Sequence, residues 1–211
     1  MACSTVLLLD YLSCALLGGA AAFRGARHSL PFTGALILGA ACALISPLLR
    51  TIMLFITTQV VLQPNALDGR GYVAASFAGA CAGYLLQRRT PEEAPVFQVL
   101  EGASLALATV LGTYAALAIG PAPSPVGSVI IGCMAGTVGG MLRDLCLIER
   151  PALLEADFYG SAVVVGAMAV TGLHASHADF RLQMALGGFC VFGLRLLGAW
   201  RMKRLGRFSE F

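Results

Sequence analysis

Gly39-Ala40-Ala41-Cys42-Ala43-Leu44-Ile45-Ser46-Pro47-Leu48-Leu49-Arg50 and Gly132-Cys133-Met134-Ala135-Gly136-Thr137-Val138-Gly139-Gly140-Met141-Leu142-Arg143 are two apolar stretches, each opened by glycine and closed by arginine, 93 residues apart at both ends. Moving outward, Leu9-Asp10 meets Leu100-Glu101 ahead of them, and Tyr72 meets Tyr159 after them. Each copy holds three apolar spans, so the second must enter a membrane from the opposite side. The pair is then an inverted repeat.

The spans are read at 5–23, 30–49, 71–86, 99–119, 126–142, 158–173 and 182–200. Each spans or nearly spans a hydrocarbon layer of ~30 Å as a helix. Barrel strands would alternate in polarity, and these runs are continuous. The 211 residues are 58% hydrophobic and 12% charged, with a mean hydropathy of +0.81. Soluble domains carry roughly 25% charged residues, so a water-soluble protein is excluded. The expected class is an all-α polytopic membrane protein with seven transmembrane helices, an inverted 3+3 repeat plus one extra helix. It forms a single transmembrane domain over 1–211, divided into a first unit (5–87), a second, inverted unit (97–174), a seventh helix (180–200) and a basic cytoplasmic tail (201–211). The first span lacks a basic n-region and contains Asp10, so it reads as a retained helix rather than a cleaved signal.

No segment is long and polar enough for a soluble catalytic domain, and H-E-x-x-H, G-x-S-x-G and P-loop motifs are missing. An enzyme is therefore not expected. A net charge of +3 gives no case for a nucleic-acid partner. The seven cysteines are scattered through apolar stretches and read as small buried residues, not a disulfide framework. His174, His177 and Asp179 are too loosely spaced to predict a metal site.

Alternate connections differ in basic charge. Arg24, Arg27, Arg88, Arg89, Arg143, Arg150, Arg201, Lys203, Arg204 and Arg207 lie on one side, and Arg50, Arg70 and Arg181 on the other. The positive-inside rule places the N-terminus outside and the C-terminus in the cytoplasm, with the tail cations as an anchor.

The two matched spans carry the residues least suited to an unbroken helix at corresponding places, Ile45-Ser46-Pro47 and Gly136-Thr137-Val138-Gly139-Gly140. Proline removes a donor and clashes with the preceding turn, and paired glycines loosen the backbone, so both sites are expected to kink or unwind. Freed carbonyls at that depth need protein or water, which points to a wet passage along the pseudo-two-fold axis. Gly132, Gly136 and Gly140, like Gly79 and Gly83, also have the spacing of close-packed helix seams.

Arg50 and Arg143 follow the two weak points, and Asp144 follows the second. They are read either as interfacial anchors, with Arg143–Asp144 a structural ion pair, or as charges at the ends of a path. Asp10 and Glu101 are expected to favour helix N-termini, with a role beside a path as the alternative. Arg195 is expected to snorkel to the interface, with a carboxylate partner as the alternative.

The stretch Gly136–Asp144, in the fifth of seven helices, together with Glu149-Arg150-Pro151 downstream, resembles the prokaryotic trimeric intracellular cation (TRIC) channel family. The resemblance covers nearly the whole chain. It implies a homotrimer with an ion path in each subunit, selective for monovalent cations such as K+, with helices 2 and 5 kinked and lining the path. Carried over by position, the kink of helix 5 is at Gly136, Gly139 and Gly140. Helix 2 departs from the family pattern, with Ile45-Ser46-Pro47 in place of glycines and Thr51 where an aspartate follows the arginine.

Two transport functions compete, beside a non-transport reading as a helical membrane scaffold. In a passive channel, backbone oxygens with the hydroxyls of Ser46 and Thr137 replace part of an ion's hydration; selection is loose because a T-V-G-Y-G filter is missing. In a secondary transporter, half-helix ends hold a small zwitterion such as glycine, a solute to which related bacterial proteins are linked. The expected location is the bacterial inner membrane. No cofactor is expected beyond permeating K+ or Na+ and bound lipid.

Overall fold

The computed structural model describes residues 2–59, 70–90, 94–118, 124–155 and 158–206. The tail beyond 206, including Arg207, lies outside the described residues, as does residue 119 at the end of the fourth expected span. The elements are α1 Ala2–Arg27, α2 Phe32–Thr58, α3 Arg70–Arg89, α4 Ala94–Ala118, α5 Pro125–Cys146, α6 Ala152–Glu155, α7 Tyr159–Ala175 and α8 Phe180–Gly206. The four-residue α6 apart, these are the seven expected spans in order.

Five of them, α1, α2, α4, α5 and α8, are long and apolar enough to cross a membrane on their own. The ends of α3 are diluted by Arg70, Gln87, Arg88 and Arg89. α7 has 17 residues, about 26 Å of rise. Both are held by neighbours: α3 lies on α1 and α2, and α7 on α4, α5 and α8. Helices suit this chain because each satisfies its own backbone in lipid. Local signals set the ends. Ser124 accepts from the Gly127 N–H with Pro125 in the first turn of α5. Gln59, left-handed at φ 57°, closes α2 by donating its N–H to Phe55.

Small residues let the helices meet backbone to backbone. A methyl at Gly79 or Gly83 would overlap the Ala15 or Gly19 backbone, so α1 and α3 run parallel in direct contact. The inverted repeat is visible in such contacts. Gly39 lies against the Gly18 carbonyl and Ala22, and the matching Gly132 lies against the Thr109 carbonyl and Thr113. α8, the helix without a counterpart, packs on α4 and α7.

Two expectations need correction. α2 and α5 remain α-helical through Pro47 and Gly139-Gly140, so neither is unwound. Pro47 cannot donate to the Ala43 carbonyl four residues back. The Cys14 thiol donates to that oxygen instead, at 3.6 Å, so the break is satisfied by protein rather than water. The six cysteines whose side chains are described are free; Cys14 and Cys42 are buried, Cys81, Cys133 and Cys190 are half-buried and Cys146 is exposed.

Candidate functional site

α2 and α5 cross near the middle of both. The Ser46 hydroxyl donates to the Ala135 carbonyl. Four residues back on α2, the Cys42 carbonyl faces Gly139, four residues onward on α5. The helices are therefore antiparallel. The repeat matches Ser46 to Gly139 and Cys42 to Ala135, so the two contacts are symmetry mates. The pseudo-two-fold axis passes midway, at Leu44 and Thr137. A methyl on Gly139 would stand 2.7 Å from the Cys42 oxygen and 2.5 Å from Leu17 Cδ2. At the crossing there is thus helix against helix, not the opening expected between the weak turns.

On either side of this plane lies an arginine cluster. In the first unit Arg50 grips Asp10 with both terminal nitrogens, at 3.0 Å from Nη1 to Oδ1 and more closely from Nη2 to Oδ2. Tyr72 donates its hydroxyl to Asp10 Oδ2 at 2.7 Å. In the second unit Arg143 Nη2 donates to Glu101 Oε1 at 2.7 Å, and its Nε to Asp144 Oδ1 at 2.8 Å. Arg195 from α8 takes the other Glu101 oxygen at 2.7 Å and lies 5.0 Å from the centroid of the Tyr159 ring. Asp10, Arg50 and Tyr72 thus recur as Glu101, Arg143 and Tyr159. Six residues of helix separate each arginine from the axis, so each cluster stands about 9 Å from the crossing plane.

Formal charges cancel in both clusters, one against one in the first and two against two in the second. Burial makes this necessary, because an unpaired ion in such a place is strongly destabilising. Arg143 and Glu101 are each only 2% exposed. Asp144 Oδ2 also accepts the Ala152 N–H at the start of α6, at 2.8 Å. Two buried donors are left over, Arg143 Nη1 and Arg195 Nε.

These contacts correct several expectations. Asp10 and Glu101 do not cap helices; each lies inside one, held by an arginine from a neighbouring span. Arg195 does not snorkel but is buried against Glu101, and Arg50 is an inward ion-pair partner, not an interfacial anchor. The Arg143–Asp144 pair is present. Thr137 donates within its own helix to Cys133 at 2.9 Å. Gly136 packs on Thr109 of α4, and Gly140 faces the Tyr159 hydroxyl. Sequence reasoning assigned no role to Cys14 or to the two tyrosines, although the tyrosines were matched by the repeat. His174, His177 and Asp179 form no three-ligand metal cluster among the described residues.

At the end of the bundle beyond the second cluster, Arg24 binds both oxygens of Glu149 at 3.2 and 3.1 Å, and His28 Nε2 lies 2.7 Å from Oε1. Partial burial opposes the Glu149 charge, but the hydrogen bonds and charges of Arg24 and His28 prevail and hold its pKa below the ordinary 4.5.

A family model described as glycine transporter matches residues 98–175, which cover almost all of the second unit. A UPF0126 membrane protein of Deinococcus radiodurans is 27% identical over 199 residues, 93% of this chain and 89% of the relative. The structure of the TRIC trimeric intracellular cation channel orthologue from Rhodobacter sphaeroides superposes with a TM-score of 0.82 at 26% identity, over 93% of this chain and 97% of that one. A prokaryotic TRIC channel crystallised in 0.5 M KCl gives 0.81 at 18% identity, over 92% and 95%. The chain has the fold of the prokaryotic TRIC channels, as the resemblance in its sequence implied.

Proposed function

We propose that the protein is a monovalent-cation channel, permeable to K+, with an ion path in each subunit between α2 and α5. The observation that supports this best is the pair of self-neutralised arginine clusters, repeated on either side of the α2–α5 crossing, in a fold shared with cation channels. Arginines beside a cation path are a barrier only when their charge is bare. Here Asp10, Glu101 and Asp144 cancel it, and each carboxylate lies near the path.

In this reading the structure is the closed conformation. Opening parts the two helices at Pro47 and at Gly136, Gly139 and Gly140, and Ser46 lets go of Ala135. The carbonyls of Ala135 and Cys42 and the hydroxyl oxygens of Ser46 and Thr137 then face a water-filled gap and replace part of the ion's hydration. The chain assembles as a homotrimer. Exposed apolar side chains such as Ile37, Ile130 and Phe189 suit lipid or neighbouring subunits. It lies in the bacterial inner membrane with the basic side in the cytoplasm and the N-terminus outside.

A transporter of a small zwitterion such as glycine is the second reading, favoured by the family model and by the unpartnered Arg143 Nη1 beside Glu101. An amino-acid carboxylate would take the free donor and its ammonium the carboxylates. Planar-bilayer recording of the purified protein separates the two. Discrete currents in KCl without any solute gradient establish the channel; glycine-dependent flux without unitary current establishes the transporter.

A further inference from the structure

Phe97, buried in the first turn of α4, stands between two charge clusters at the basic end. Its ring centroid is 5.1 Å from the Arg24 guanidinium carbon and 5.0 Å from that of Arg143, and it stacks on Phe23. Both distances suit cation–π attraction. Arg24 is in turn fixed by Glu149, whose N–H donates to the Asp144 carbonyl at 2.8 Å. The segment that leaves α5 is therefore tied at both ends, to Arg143 through Asp144 and to α1 through Glu149.

This turn is strained. Ile148, immediately before Glu149, is left-handed at φ 58°. A β-branched residue rarely holds that conformation. Its side chain is 95% exposed, so its own packing does not hold it there. The turn is held by backbone bonds from Ile148 N–H to Leu145 and from Glu149 N–H to Asp144, and by the Glu149 carboxylate on Arg24 and His28.

The first unit has no such device. The positions matching Phe97 and Glu149 are Val6 and Ile56. The two ends of the proposed path are therefore unlike.

We propose that Phe97 is a positioning residue through which the Arg24–Glu149–His28 cluster holds Arg143, forming a proton-sensitive latch on the cytoplasmic end of the path. The proposal rests on the channel reading above. The charged group set against His28 is Glu149, in the turn after α5, which also binds Arg24 on α1; Arg27 and Arg150 are their neighbours in sequence. Protonated His28 gives Glu149 a second cation and holds the turn down. Loss of that proton weakens the tie, the strained turn relaxes, and the end of α5 lifts. Cys42 reports this motion, because its buried side chain packs under Leu142 and Leu147.

The test uses the full-length protein in liposomes with two readouts taken from the basic side. One is open probability; the other is labelling of Cys42 by a membrane-impermeant thiosulfonate, located by peptide mass. Raising pH from 6 to 8 should increase both about two- to three-fold, the scale of one exposed ion pair. H28Q should remove the pH step. F97L should show the high-pH level throughout, and F97W, which keeps an aromatic face, should restore the step. The latch is overturned when H28Q, a surface change that leaves the core intact, keeps the wild-type step, or when F97L keeps it. Should no current be found, the channel reading fails on its own, and Cys42 labelling still decides the latch: a pH step lost in H28Q supports it, and identical labelling in both proteins refutes it.

Discussion

Glu101 on α4 and Arg143 on α5 meet in a 2.7 Å ion pair with both side chains only 2% exposed, and Glu101 gives its second oxygen to Arg195. One carboxylate therefore serves two buried guanidiniums. Glu101→Gln is expected to cost about 3–5 kcal/mol, the usual result of stranding buried charge. Asp10→Asn acts in the same direction but less, because Arg50 and Asp10 are 12% and 8% exposed at their side chains. Reversible unfolding in mixed detergent, comparing both variants with the parent, checks the order.

The thiol of Cys14 replaces the donor that Pro47 lacks. Cys14→Ala should cost about 1–2 kcal/mol by leaving the Ala43 carbonyl unsatisfied. In a Pro47→Ala background, where the helix regains its own N–H, the same change should cost almost nothing. A double-mutant cycle on unfolding free energy measures the coupling, and equal costs in both backgrounds would contradict the assignment.

Ser46 and Gly139 occupy equivalent places at the crossing, one bridging by a hydroxyl and the other by the lack of a side chain. Gly139→Ala pushes a methyl into Leu17 and the Cys42 carbonyl and should lose about 1–3 kcal/mol by overpacking. Ser46→Ala removes one hydrogen bond and should lose about 1 kcal/mol. Both weaken the closed contact, so both should raise open probability in bilayer recordings.

Glu149 supplies a pH-dependent part of the stability. Its folded pKa lies below the ordinary 4.5, so the contribution is complete above that value and is lost as pH falls through the folded pKa. Melting temperature in detergent should drop more steeply below pH 4.5 in the parent than in Glu149→Gln.

Much of this was legible in the sequence, since hydrophobic runs mark spans and an odd number of spans per copy forces inversion. The matched pairs Asp10/Glu101, Arg50/Arg143 and Tyr72/Tyr159 already contained both clusters. What the sequence could not supply was which helices touch. Asp10 and Arg50 lie on separate spans, and only the packing of α1 on α2 makes them partners, so the sequence alone suits a helix cap and an interfacial anchor as well. The expected unwinding is avoided for a related reason. Pro47 signals a missing donor, but a thiol on another helix fills the gap, and the α5 glycines serve contacts with α1, α2, α4 and α7.

The central claim is that ions pass where α2 and α5 cross, at Leu44 and Thr137. It is tested by recording unitary K+ current through Thr137→Cys before and after a small charged thiosulfonate, with the parent protein as control for the native cysteines. Current that falls to the leak level in the variant alone is the predicted result. Unchanged current from a channel whose residue 137 is shown by mass to be modified would place the path elsewhere.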